Sequence, residues 1–213
     1  MEVITAIRGR RAINYFDPQR PVPEELLRNL LELAALAPSS FNLQPWRVIV
    51  VDDPEKKALL RECAMGQPKV EEAPVVLILV ADPGVVEEYG EEVLRDRLAK
   101  GYLKDESQIE GVKAVFYQLY GDRESLRRKL FAVKNTALFA MNLMLAARGL
   151  GLETHPMDGF EEPCVKRVFG IPEDKLVPML VAVGYPRPGV KLLERPARRP
   201  PEVFTSRNTW STS

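Results

Sequence analysis

Little in this chain invites metal or thiol chemistry. Its 213 residues include two cysteines and one histidine, so a multi-histidine metal site is excluded. Cys63 and Cys164 stand far apart with no metal-like or redox-like spacing, and are expected as buried free thiols in a reducing compartment. Neither sign of charge is in excess. Thirty basic residues balance thirty acidic ones, which leaves no bulk attraction to nucleic acid or membrane. A Gly-x-Gly-x-x-Gly between strand and helix is missing, which argues against a separate dinucleotide-binding domain. No basic-then-apolar leader is visible, and no apolar run approaches membrane-spanning length. Repeats and low-complexity tracts are absent too. These absences point to a cytoplasmic protein, and the length suits one sizeable core over 1–213.

What is present alternates helices with short strands. Residues 1–9 read as a short helix. Pro23 with Glu24 and Glu25 starts a second, because proline suits the first turn and the acids sit at its positive end. Trp46–Val51 and Val75–Val80 read as strands, with a polar helix over 55–64 between them. Residues 85–122 are charged and helical, with breaks expected at Gly101, Gly111 and Gly121. From Ala137 to Ala147 only Asn142 is strongly polar, so the helix over 123–148 must be buried on most sides, by its own shell or by a second subunit. A short strand after 149–154, a helix over 161–169 and a strand over 179–183 follow. Five prolines in 186–201 exclude helix and inner strand, so 186–213 reads as an extended arm suited to wrapping a partner. Short strands between long helical segments predict an α+β or α/β sandwich, a sheet flanked by helices.

The most distinctive stretch is Pro38-Ser39-Ser40-Phe41-Asn42-Leu43-Gln44-Pro45-Trp46-Arg47. Two prolines stiffen it, and hydroxyls and amides between them offer donors and acceptors near the backbone. By itself it is a helix-to-strand loop plugged by Trp46. Two arginine pairs stand near the ends of the chain, Arg10-Arg11 and Arg198-Arg199. Guanidinium forks match phosphate oxygens, although solvated or salt-bridged roles are the ordinary use of such pairs. His155, alone and before Pro156, has no assigned role, because a lone histidine is more often structural.

The order of these motifs resembles the FMN-dependent nitroreductase family. It is carried by Arg10-Arg11-Ala12-Ile13-Asn14-Tyr15-Phe16-Asp17-Pro18, the helix start at 21–25, Ala37 to Trp46, Gly66-Gln67, Ala73-Pro74-Val75-Val76, Gly149-Leu150-Gly151, Met157-Asp158-Gly159-Phe160, Gly170-Ile171-Pro172-Glu173, Gly184-Tyr185-Pro186 and Arg198-Arg199-Pro200. The resemblance implies a three-layer sandwich with a mostly antiparallel central sheet, in an intertwined homodimer whose flavin sites lie at the subunit interface. It implies FMN as cofactor, with its phosphate held by Arg10 and Arg11 and by Arg198 or Arg199. Pro38, Ser39 and Ser40 would line the flavin from the other subunit, and Asn42 would shape the site. Gln67, with Lys69, would reach the pyrimidine edge. Pro156, Met157, Asp158 and Gly159 would form the turn beside N5.

Ala12 and Asn14 depart from the family pattern, which commonly has a serine and a cation there. Loss of that cation would weaken stabilisation of reduced flavin, and Lys69 is the candidate substitute. No catalytic side chain is implied. NADPH or NADH would act as transient reductant, and a nitroaromatic, quinone or similar small molecule as acceptor, in a ping-pong cycle. Two alternatives stay open: specialised flavin chemistry (flavin fragmentation or reductive dehalogenation), and a non-enzymatic flavin-holding protein. Tyr102, Phe116, Tyr117 and Tyr120 are candidates for a cover over the flavin, and equally for core or dimer contacts.

Overall fold

One sheet organises the chain, with four strands in the order β1-β2-β4-β3 and every neighbouring pair antiparallel. They are β1 (Trp46–Val51), β2 (Val75–Ala81), β3 (Glu153–Met157) and β4 (Leu176–Gly184). The computed structural model describes residues 2–210, so Met1 of the first predicted helix and 211–213 of the predicted arm lie outside it. All seven residues of β2 are buried, as its unbroken apolar run requires of a strand covered on both faces. Successive side chains point to opposite faces. Val76, Ile78 and Val80 therefore enter one core, and Val75, Leu77 and Leu79 the other.

Helices cover both faces. α2 (Glu24–Ala35) and α7 (Leu126–Gly149) pack on the Leu77 side, where Leu27, Leu30, Phe139 and Leu143 meet the sheet, and α1 (Val3–Gly9) packs on α7. α3 (Pro54–Cys63), α4 (Lys69–Glu72) and α8 (Glu162–Phe169) cover the Ile78 side through Leu60, Val70 and Val165. α5 (Val85–Ala99) and α6 (Gln108–Tyr120) build a third cluster with Leu43, Ala81 and Phe131, beyond the end of β2. The α+β three-layer sandwich is as expected. Fully burying each Leu, Ile or Val in these layers stabilises the fold by about 1.5–3 kcal/mol.

Several expectations need correction. Gly111 lies inside α6 and breaks nothing, since one glycine costs a helix only about 1 kcal/mol. Pro23 caps α2 from outside its first turn. The apolar part of α7 is buried on most sides, as expected, with Leu138 and Met141 left exposed in the single chain, as are Leu126 and Leu130 nearer its start. By length and composition α7 is also long and apolar enough to cross a membrane, contrary to the sequence reading. Half of that window is buried among protein layers, and Asn142 donates to the carbonyls of Leu33 and Ala34 at the end of α2, which marks a core helix.

The cysteines are the clearest miss. They are not free: Cys63, last residue of α3, is disulfide-bonded to Cys164 in α8. Their separation of 101 residues hid the pairing. Only the packing of α3 against α8 brings the two Cα atoms to 5.4 Å, inside the range a disulfide spans. The redox argument for a reducing compartment is thereby removed.

Candidate functional site

Three predicted segments meet at the β3 edge of the sheet. Residues 10–14 dock beside β3 through a parallel bridge between Ala12 and Thr154 and through the Ile13 amide, which donates to the Thr154 carbonyl at 3.2 Å. The loop after α3 turns through Met65 and Gly66, both with left-handed φ. Arg61 holds it by donating to the Gly66 carbonyl at 3.0 Å. The third segment is the turn after β3. Its backbone is tied to α3 by the Glu161 amide, which donates to the Cys63 carbonyl at 2.8 Å.

Gln67 and Lys69 join these pieces. The Gln67 side-chain amide donates to the Gly159 carbonyl at 2.7 Å and the Ala64 carbonyl at 3.1 Å. Its Oε1 faces Lys69 Nζ at 3.2 Å. Gly159 eases this approach and is not there for a left-handed turn, since a Cβ would stand 3.2 Å from the Gln67 nitrogen, tight enough to press on that side chain. Lys69 Nζ also lies 3.3 Å from Nε2 of His155, whose Nδ1 is 2.7 Å from the Ile13 carbonyl. No carboxylate pairs with Lys69 among the described residues. Burial pushes the Lys69 ammonium below its ordinary value. Burial, and then the Lys69 charge, lower His155 as well.

Met157 is buried, Asp158 is exposed, and Pro156 pairs with Val181 of β4. Arg10 and Arg11 are half-buried. Arg11 donates to the Leu193 carbonyl at 2.6 Å. Arg195, which sequence reasoning missed, donates to the carbonyls of Arg8 and Arg10 at 2.7 and 3.0 Å. Arg198 instead bonds the Pro196 carbonyl, and among the described residues no hydrogen bond or ion pair joins Arg198 or Arg199 to Arg10-Arg11. The only signal for Arg195 was a further arginine in the same proline-rich arm, close to Arg198 and Arg199.

The 38–45 loop lies elsewhere, before β1 at the opposite edge. It is rigid. The Ser40 amide donates to buried Asn135 Oδ1 at 3.1 Å, the Gln44 amide to Ser39 Oγ at 3.0 Å, and Thr136 to the Pro45 carbonyl at 3.2 Å. These bonds hold Phe41, Asn42 and Gln44 at φ of 54°, 62° and 49°, each a strain of about 1–3 kcal/mol that surrounding structure must sustain. Asn42 opens on a cavity of about 290 Å³, also lined by Asp96, Arg97, Lys100 and Tyr102. Of the four aromatics, Phe116 and Tyr120 are core residues, Tyr117 is partly exposed, and Tyr102 is largely exposed.

At the far ends of β1 and β2 a second polar cluster is fully paired. Lys175 bonds Asp82 and, at 3.2 Å, Glu88. Arg47 reaches Asp82 and Glu88, both at 2.8 Å, and Arg123 bonds Asp174 and Glu88.

Three comparisons bear on this arrangement. The family model described as "Nitroreductase family" matches residues 7–185. A Thermus thermophilus protein named NADH dehydrogenase is 39% identical over 186 residues, covering 87% of each chain. Two crystal structures superpose on nearly the whole fold. One is a nitroreductase, ydfN, of Bacillus subtilis, at TM-score 0.88 and 28% identity, covering 95% of this chain and 97% of that one. The other, from Exiguobacterium sibiricum, is a nitroreductase in complex with FMN, at TM-score 0.85 and 27% identity, covering 97% of both. The match extends over the docked 10–14 segment, the strained loop before β1 and the turn after β3, and the chain belongs to the nitroreductase family.

Proposed function

We propose that this protein is an FMN-dependent NAD(P)H oxidoreductase that reduces electron-poor small molecules such as nitroaromatics and quinones. The observation that carries this reading is the junction at the β3 edge, where Lys69 has no carboxylate partner among the described residues and stands with Gln67 and His155. An ammonium left half-buried without a counter-charge is costly, and an electron-rich ligand relieves that cost. The donor set suits FMN. An ammonium and an amide match the carbonyl-rich pyrimidine edge of the ring, and the paired guanidiniums of Arg10 and Arg11 match the phosphate.

In this reading Arg10 and Arg11 grip the phosphate, with Arg195 fixing the backbone that carries them. Arg198 and Arg199 remain candidates for the same role. Gln67 and Lys69 orient the ring at its pyrimidine edge, and the 156–159 turn (Pro156, Met157, Asp158, Gly159) lies beside the reacting face. FMN, when bound, accepts hydride from NADPH or NADH and passes it to the acceptor, so the two substrates use one face in turn. No side chain of the chain is required as nucleophile or base.

The active unit we propose is a homodimer built from one compact body, in which the arm first packs on its own chain through Leu193 and Arg195 and then, beyond Arg195, reaches the partner. Two features support it. β1 and β3 are opposite edges of the sheet, about 14 Å apart at the usual strand spacing. In the homodimer, Ser39-Ser40 of one subunit would complete the Lys69 junction of the other. In addition, Val3, Ile4 and Ile7 of α1 and Leu126, Leu130, Leu138 and Met141 of α7 stand exposed, apolar side chains that a second subunit would cover. A cytoplasmic location is part of the proposal and rests on the family alone, with the Cys63–Cys164 disulfide weighing against it.

The test is the visible spectrum of purified protein before and after anaerobic NADPH, then NADH. A yellow protein that bleaches with either supports the reading. A colourless protein that takes up no added FMN overturns it.

A further inference from the structure

We propose that His155 is a positioning residue that holds Lys69 against the 10–14 segment and so fixes where its ammonium meets the flavin. This rests on the flavin reading above. The argument starts from hydrogen positions. A carbonyl oxygen only accepts, so the 2.7 Å contact with the Ile13 carbonyl places the imidazole proton on Nδ1. Nε2 then presents a lone pair, and at 3.3 Å it faces Lys69 Nζ, a group that only donates. Both contacts hold together only for the neutral Nδ1–H tautomer, because an imidazolium would set two cations side by side.

The same histidine measures a distance. Ile13 is buried and bonded to Thr154 through its amide, so its carbonyl is a fixed point on β3. From it His155 reaches to α4, across two elements, and sets where the ammonium stands relative to Ala12 and exposed Asn14. Gln67 Oε1 provides the second anchor. Without His155 the lysine stem, whose four carbons are flexible, has one anchor and a wide arc of solvent to explore.

Groups facing the imidazole are few. Lys69 comes from α4. On its own strand Glu153 is engaged by Arg148 of α7. Burial and the Lys69 charge both disfavour imidazolium, against the Ile13 carbonyl, which favours it, and the balance is downward. Lowering the pH until His155 protonates therefore displaces Lys69 and weakens FMN binding.

Because the chain has one histidine, its imidazole nitrogens can be followed by NMR without assignment, in protein free of FMN. Expected are the Nδ1–H tautomer and an upward shift of the imidazole titration in Lys69→Met. Then FMN dissociation constants and the midpoint potential of bound flavin are compared in two variants that divide the contacts. His155→Gln keeps an acceptor for Lys69, and His155→Asn keeps a donor for Ile13. Expected is near-normal affinity and potential in His155→Gln. In His155→Asn we expect about tenfold weaker FMN, the size of one lost hydrogen bond to a charged group, with a more negative potential. Thermal melts of both variants separate these effects from misfolding. The Nε2–H tautomer, or equal affinity and potential in His155→Asn and wild type, overturns the inference while leaving the flavin reading intact. Wild-type protein that binds no FMN overturns both, with the NMR result still reporting whether the contact exists.

Discussion

The two polar clusters use the same residue types to opposite ends. At the Asp82 cluster every cation has a carboxylate. Bonds from Lys175 and Arg47 outweigh the burial that would raise the Asp82 carboxyl, so it lies below its ordinary value. The acids likewise raise Lys175, against burial, and Arg47, through Asp82 first. At the Lys69 cluster no acid answers among the described residues, and burial lowers both lysine and histidine. Satisfied charge is structure and unsatisfied charge is a site. The first cluster clamps the start of β4 to the end of β2; the second stores an unmet demand for an electron-rich ligand.

The comparison is broken most severely at the clamp. Asp82→Ala leaves Lys175 and Arg47 short of a partner and is expected to lose about 3–5 kcal/mol of stability, read by guanidinium unfolding. Wild-type protein should also weaken in acid. The Asp82 contribution is whole above the unfolded carboxylate value of 3.8 and is lost as pH falls through the lower folded value. Asp82→Ala lacks that part of the acid transition.

Next in size is the disulfide, which ties the Lys69 cluster's two supporting segments together. Cys63→Ala with Cys164→Ala is expected to cost about 2–5 kcal/mol, measured the same way. It should also loosen the Gln67 to Gly159 contact, seen as faster amide exchange at 64–67 and 159–161. An unfolding midpoint unchanged by a dithiol reductant would count against the bond.

Arg11→Ala should sharply lower FMN occupancy, by about tenfold or more in dissociation constant for a lost charge-assisted contact, while leaving the unfolding midpoint of FMN-free protein nearly unchanged. Full occupancy in that variant would remove the phosphate grip.

The smallest effect is the sharpest test of the contrast, because its sign inverts. Lys69 has a folded value below the unfolded one, so at neutral pH its charge opposes folding, and that opposition fades as pH rises through the folded value. Lys69→Met should therefore slightly stabilise FMN-free protein while weakening FMN. Destabilisation there would make Lys69 one more structural lysine.

Most of the architecture was legible because each signal is local. The apolar runs at 46–51 and 75–80, the acids after Pro23 and the prolines after 185 act within a turn or two of where they stand. Gly111 misled because one glycine yields to the packing of Ile109 and Phe116 on either side. The order of motifs nominated residues 10–11, 67 and 156–159 as candidates, and the fold brings 10–14, 67 and 156–159 to one edge of the sheet. Arg195 was not nominated, since nothing local separates it from Arg198 and Arg199 in the same proline-rich arm.

What the amino-acid sequence determined by itself is therefore the set of elements, the two-sided burial of β2 and the presence of a stiff polar loop before β1. Only tertiary structure decided which charges are answered. Asp82 and Lys175 are 93 residues apart, Lys69 and His155 are 86 apart, and Cys63 and Cys164 are 101 apart. At such separations no periodicity or propensity reports contact. The folded sheet brings each pair together, and by placing acids at one cluster and, among the described residues, none paired with Lys69 at the other, it makes one a clamp and the other the proposed site.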